Sequence, residues 1–457
     1  MSGSSAVARA RASLLEDSIP RVLTGLTLPM ILGLASTSLF NVVDAYFVGR
    51  LGGGALAALG FTFPITLVLT NLAGGLSVAA TSVVSRAAGQ GDQGRVGRTA
   101  SHALWSAAAL GVVLAGVGLL TLEHFMRLLG VSRELQPLVR EYMWVWYGGL
   151  PLLLVPMVGS SVLRAMGDAR TPAVVLVVSV VINAALDPLL IFGSGPLPGL
   201  GLAGAAWAAA VSRAVMLGAF LFTLFSREGL LERSIPRASE LRESLRPLLS
   251  IAVPATASRL VFPVSMMMLT RLIARHGPEG VAALGVGNRV EGLLMMVIGA
   301  LSTALIPFIG QNWGAGRKER AWKGMRVAVL FTLGWGAACW VVLLFAAPWV
   351  AAWFTPDAAV AAATTSYLRI LSLSFGFQGV CMLTSVAFNA VNRPLFSTTL
   401  TLVRMFGLYL PLAYAGAWLW GRDGVFIAGS VATLVGGLAA LVWCERFFSR
   451  AARSAQA

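Results

Sequence analysis

The sequence predicts an all-α polytopic membrane protein, with twelve transmembrane helices in two pseudo-symmetric six-helix bundles. Three observations carry that prediction. Of 457 residues, 57% are hydrophobic and only 12% charged, and the mean hydropathy is +0.80, whereas soluble domains are about one quarter charged. Apolar stretches of the length that crosses a bilayer, about 20 residues, recur along the whole chain. The second half of the chain also repeats the first.

Hydrocarbon cannot hydrogen-bond an exposed backbone, so each crossing has to close its own ladder as a helix. Spans are expected at 22–48, 56–84, 99–121, 138–162, 172–194 and 201–225 in the first half. In the second half they are expected at 248–272, 282–310, 325–348, 365–389, 397–419 and 425–447. The domain plan is a cytoplasmic tail (1–21), an N-terminal lobe (22–226), a charged cytoplasmic linker (227–247), a C-terminal lobe (248–448) and a second cytoplasmic tail (449–457). The first tail is polar and has no signal-peptide apolar core, so it reads as retained. Cys339, Cys381 and Cys444 fall in apolar stretches with no ligand spacing, so neither a disulfide nor a metal cluster is expected. His102, His124 and His276 are scattered near span ends without partners that suggest catalysis.

The net charge of +15 reads as topology rather than as affinity for nucleic acid, because the basic residues alternate with the spans. One side carries Arg9, Arg11 and Arg21, then Arg86, Arg95 and Arg98, then Arg227, Arg233, Arg237, Arg242 and Arg246, and later Arg317, Lys318 and Arg320. The opposite loops carry far fewer. The positive-inside rule puts both termini in the cytoplasm, as an even number of spans requires.

The repeat runs at an offset of 225 residues: Pro29 falls on Pro254, the 57–60 segment on 282–285, Gly89 and Gly91 on Gly314 and Gly316, Arg95 on Arg320, and Tyr142 on Tyr367. With six spans per lobe, both lobes enter the membrane in the same orientation. The repeat axis then lies along the membrane normal, with substrate between the lobes near the midplane.

Where the repeat breaks, the chemistry is informative. Asp44, in span one, falls on Leu269, and Asp187, in span five, falls on Tyr409 after a small gap. Both intramembrane acids belong to the N-terminal lobe. A carboxylate at mid-bilayer costs roughly 2.5–3.5 kcal/mol even on lenient scales, so two of them point to a function. Desolvation and mutual repulsion disfavour two bare carboxylates, so such a pair is suited to taking up a proton or a cation and releasing it. Asn183 shares a helix face with Asp187, four residues away. Pro188 leaves the carbonyl of Ala184 without its helical donor, and Pro29 permits span one to bend. Asn41 stands one turn before Asp44.

At these residues the sequence resembles the multidrug and toxic compound extrusion (MATE) family, nearest its DinF-like branch. The carrying segments are Pro29 with the 41–52 run through Asp44 and Gly49, and Gly60 with Pro64. Gly89 with Gly91, the 310–316 run, Arg164 to Pro172, and Asn183 to Pro188 complete them. The resemblance implies two six-helix bundles arranged as a V around a central cleft, exporting organic cations in exchange for H⁺ or Na⁺ without any cofactor. It gives Asp44, Asn183 and Asp187 as the coupling site, the one place where a metal (Na⁺) is expected, with Pro29 as the bending point. Phe40 stands where relatives often carry a tyrosine, and Ala208-Ala209 where they often offer a threonine. Fewer oxygen ligands then remain for a bare metal ion, which favours H⁺.

Weaker candidates lie in the second half. Glu291 either faces the cleft and attracts cationic substrate or neutralises Arg259 or Arg289 in a structural pair. Met266 and Met295, with their methionine neighbours, either line an adaptable pocket or pack. Arg369 and Arg404 lie near interfaces or bind counter-charges. The expected partners are small organic, cationic and amphipathic compounds and membrane lipid, with no nucleic acid, and the chain is expected to be a monomer in the cell inner membrane. The alternative is a flippase for lipid or lipid-linked oligosaccharide from the same superfamily, which needs a basic cleft. A membrane-embedded transferase needs a polar catalytic constellation, and none is present.

Overall fold

A computed structural model of the chain describes residues 13–194, 197–226, 230–232 and 238–454. The first half supplies α1 (Ile19–Gly49), α2 (Gly53–Gln90), α3 (Gln93–Leu128), α4 (Gln136–Gly148), α5 (Leu150–Ala165), α6 (Arg170–Phe192) and α7 (Gly201–Ser226). A two-residue hairpin, β1 (Gly193–Ser194) with β2 (Leu197–Pro198), joins α6 to α7. The second half supplies α8 (Ala238–Ala274), α9 (Pro278–Gly314), α10 (Lys318–Phe354), α11 (Ala358–Ser372), α12 (Phe375–Ala390) and α13 (Pro394–Leu402). A π-helical stretch (Val403–Tyr409) then leads into α14 (Leu410–Arg453).

Twelve crossings follow from these helices. α4 with α5 and α11 with α12 are two spans bent by 45° and 54°. Pro394–Arg453 is helical for 60 residues, which at about 1.5 Å each is roughly three times the hydrocarbon thickness. It therefore contains two spans. The reversal is at Trp420 and Gly421, whose backbone leaves the helical region (φ 60°, ψ −139° at Gly421). Beyond it the halves pack so closely that a Cβ on Gly416 would lie 2.3 Å from the Gly424 carbonyl oxygen.

The repeat is written into the backbone at the same 225-residue offset. Gly52 and Gly277 have φ of 110° and 111°, Gly91 and Gly316 have 81° and 74°, and Gly167 and Asn392 have 93° and 63°. The two bent spans bend at equivalent places. Between helices, small residues let backbones approach, which is the main source of cohesion where lipid removes the hydrophobic drive: a Cβ on Gly336 of α10 would stand 2.2 Å from the Gly376 nitrogen of α12. Along the helices, many hydroxyls return their hydrogens to the preceding turn, as Ser36 does to Leu32 (2.8 Å) and Thr70 to Thr66 (2.7 Å), which satisfies those donors within the helix.

The chain forms two compact units, one holding Leu28–Ala252 and the other Leu14–Thr27 together with Val253–Ala457. The described end of the first tail docks onto the second unit: Arg317 donates to the Leu15 carbonyl (2.7 Å), Asn312 to that of Leu14 (3.2 Å), and Arg320 to that of Asp17. The stretch expected as a linker (227–247) is helical from Ala238, because α8 extends well ahead of its apolar core. Arg9, Arg11, Arg227, Arg233 and Arg237 lie outside the described residues.

Candidate coupling site in the N-terminal half

Within the first unit, α6 runs from Arg170 through Asn183, Asp187 and Pro188 without breaking. Asn183 and Asp187 are fully buried, and the Asn183 amide donates to Asp187 Oδ1 at 3.3 Å. From α1, Asp44 comes into electrostatic contact with Asp187. Three buried oxygens here have no hydrogen-bond partner: Asp44 Oδ1, Asn183 Oδ1 and Asp187 Oδ2. Unsatisfied oxygens in a dry interior are costly, and a group of three on two helices has the chemistry to receive a positive species. Among the described residues, no cluster of three or more His, Cys, Asp or Glu that could hold a metal ion occurs.

Two further residues belong to the same neighbourhood. Tyr142 of α4, 7% exposed, interacts electrostatically with both aspartates. Arg213 of α7 interacts with Asp44 and Tyr142, and its guanidinium lies 5.8 Å from the centre of the Trp146 ring. Sequence reading noticed Tyr142 only as a repeat position and missed Arg213. The available signal was the presence of one charged side chain in the otherwise uncharged 201–226 span.

The remaining candidates separate clearly. Phe40 is half-buried and Asn41 exposed on α1, with Pro29 inside the same helix. Met295 is part of the hydrophobic core of the second half, and Met266, partly buried, packs against it. Glu291 accepts from Gln378 (2.7 Å) and lies 3.1 Å from the Tyr367 hydroxyl. Its charged neighbour is Arg404 of the π-helical stretch, not Arg259 or Arg289. Of the two alternatives, the structural pair with Arg259 or Arg289 is not what the neighbours of Glu291 provide: Gln378, Tyr367 and Arg404 surround it instead.

A family profile, MatE, matches residues 29–189 and again 254–415. It starts at Pro29 and at Pro254, the two positions that the internal repeat equates. The chain belongs to the MatE family. Its relatives include the FAD transporter of Shewanella oneidensis, 34% identical over 95% of this chain and 96% of that one. The multidrug export protein MepA of Staphylococcus haemolyticus is 24% identical over 90% of each chain. The crystal structure of the Vibrio cholerae MATE transporter VcmN in its bent form superposes with a TM-score of 0.89 at 29% identity, covering 98% of this chain and 99% of that one. As a MatE protein the chain is a multi-pass membrane transporter, not an enzyme.

Proposed function

We propose that the protein is an antiporter that exports small organic compounds by alternating access, driven by protons bound at Asp44 and Asp187. The observation that carries this reading is the group of three partnerless buried oxygens on Asp44, Asn183 and Asp187. Charge counting favours the proton. Two ionised aspartates and Arg213 leave one negative charge uncompensated, and a single proton removes it without a coordination shell. A bare sodium ion would find few oxygens, since Phe40 and Ala208–Ala209 offer no side-chain ligand. The drive is sufficient: one pH unit is worth about 1.4 kcal/mol per proton, or about tenfold accumulation of an uncharged cargo.

The multidrug export relatives favour a lipophilic cation as cargo. A second reading of the cargo, an anionic flavin nucleotide, is favoured by the relative named an FAD transporter, which is more similar in sequence than MepA. Arg213, Arg259 and Arg404 in the spans would suit it.

Purified protein in sealed vesicles tests both points. A pH gradient is expected to drive efflux of ethidium or of FAD, and a sodium gradient alone is not. Asp44→Asn combined with Asp187→Asn is expected to abolish driven efflux. Undiminished efflux from that double variant would falsify the coupling role.

A further inference from the structure

A groove of about 360 Å³ opens on the second unit between α10 and α14, and none of its lining residues belongs to the acidic sites described above. That volume falls within the range of ligand pockets, roughly 300–1,000 Å³. Its floor is aliphatic, built from Val329, Leu330 and Leu333 of α10 and Leu441 of α14. Leu330 is 70% exposed, and the solvent of an exposed leucine on a membrane-spanning helix is hydrocarbon. The mouth is charged, with Arg326 from α10 and Glu445 from α14. α10 has 37 residues, about 55 Å of helix against roughly 30 Å of hydrocarbon. Arg326 lies about two turns, or roughly 12 Å, beyond the start of α10 at Lys318, so it stands at the boundary where lipid phosphates lie.

The charged mouth is held in place without being closed on itself. Arg326 Nη2 and Glu445 Oε1 are 3.7 Å apart, and the two side chains are 61% and 49% exposed. Charge-assisted N–H···O bonds close to about 2.7–2.9 Å, and an exposed pair this wide contributes little. Both groups therefore retain capacity for another partner. The Arg326 guanidinium rests 5.3 Å from the centre of the Trp322 ring. Trp322 in turn lies nearly parallel to Phe448, with 6.0 Å between centres and 10° between planes, and Phe448 is fully buried. Tryptophan is the residue of the membrane boundary. Lys323, the other cation of this turn, is engaged by Glu319 at 2.8 Å. The mouth thus presents one positive and one negative group above an apolar floor.

We infer that this groove is a binding site for a zwitterionic phospholipid with a primary ammonium, of the phosphatidylethanolamine type. The lipid phosphate takes paired N–H donors from Arg326, the recognition for which a guanidinium is shaped. The ammonium donates to Glu445, and an acyl chain follows the floor from Val329 to Leu441. Phosphatidylcholine has no N–H to offer the carboxylate. Phosphatidylglycerol brings a negative charge to Glu445 with no cation to answer it. The bound lipid bridges α10 and α14, and the site depends on neither the cargo nor the coupling ion of the antiport reading.

Native mass spectrometry of the full-length protein, offered an equimolar mixture of phosphatidylethanolamine, phosphatidylcholine and phosphatidylglycerol with matched chains, reads which lipid is retained. Phosphatidylethanolamine is expected to be favoured over the other two by about tenfold, the discrimination of one hydrogen bond to a charged group. Glu445→Gln is expected to erase that preference, and Arg326→Gln to weaken retention of phosphatidylethanolamine. Both residues are exposed and their mutual pair is weak, so both variants are expected to keep the wild-type thermal midpoint without lipid. Added phosphatidylethanolamine is expected to raise the midpoint of the wild type, as a ligand of the folded state does, and to raise that of neither variant. Equal retention of the three lipids overturns the inference and means that the groove holds only bulk membrane lipid. A preference that survives both substitutions overturns it as well, because the lipid then sits elsewhere.

Discussion

Asn183 sits one helical turn from Asp187 and fixes one of its oxygens while leaving the other bare. Hydrogen bonds to charged groups are worth about 1.5–3 kcal/mol. Asn183→Leu is therefore expected to lower pH-driven efflux at least about tenfold, read from initial rates in vesicles, with the protein still folded. Arg213 acts on Asp44 through charge and rests against Trp146. Lysine retains the charge as a point but not the planar stacking. Arg213→Lys is expected to keep part of the efflux rate, and Arg213→Met to lose nearly all of it. Equal rates for the two variants would show that the charge at this position does not matter. Of this site, Asp44, Asn183, Asp187 and their sharing of one lobe were legible in the sequence, because an acid in a long apolar run is visible without coordinates. The neighbours of Arg213 and the contacts of Glu291 with Tyr367, Gln378 and Arg404 were not, since those groups lie on other helices at separations that no local pattern reveals.

At the scale of helices, α1 crosses with few buried neighbours, 22% of its most apolar window being enclosed. Pro29 lies inside it and withholds a backbone donor from the Gly25 carbonyl. A loosely packed helix with a missing bond is able to bend. Pro29→Ala is expected to leave Asp44 in place and slow efflux several-fold, without lowering the thermal midpoint. Two glycines have structural roles that can be tested separately. Gly421 adopts a backbone conformation that is nearly restricted to glycine, so Gly421→Val is expected to cost about 1–3 kcal/mol by straining the reversal between the last two spans. Gly336→Val drives α10 away from α12 and is expected to destabilise by about as much as other overpacked contacts, about 1–3 kcal/mol. Both are read as lower thermal midpoints in detergent.

For the whole molecule, stoichiometry decides how the gradient is used. Exchange of one proton for one monovalent cation is electroneutral and insensitive to membrane potential. If both aspartates load a proton, each cycle moves one net charge, worth about 2.3 kcal/mol per 100 mV and about 50-fold in limiting accumulation. Ethidium efflux is then expected to quicken when the side receiving the protons is made negative, and Asp187→Asn is expected to remove that response. The experiment compares efflux at fixed pH gradient with and without an imposed potassium diffusion potential.

The sequence alone determined the membrane class, the twelve crossings, the twofold repeat and the pair of acids in one half. Each of these rests on composition, period or self-similarity, which a single chain displays directly. Tertiary structure decided which groups stand around each acid, how the 394–453 helix turns back on itself and where Glu291 finds its partners. Those depend on which helix faces come within hydrogen-bond reach, and in a bundle of uniformly apolar helices the sequence carries almost no periodic signal for the orientation of each face.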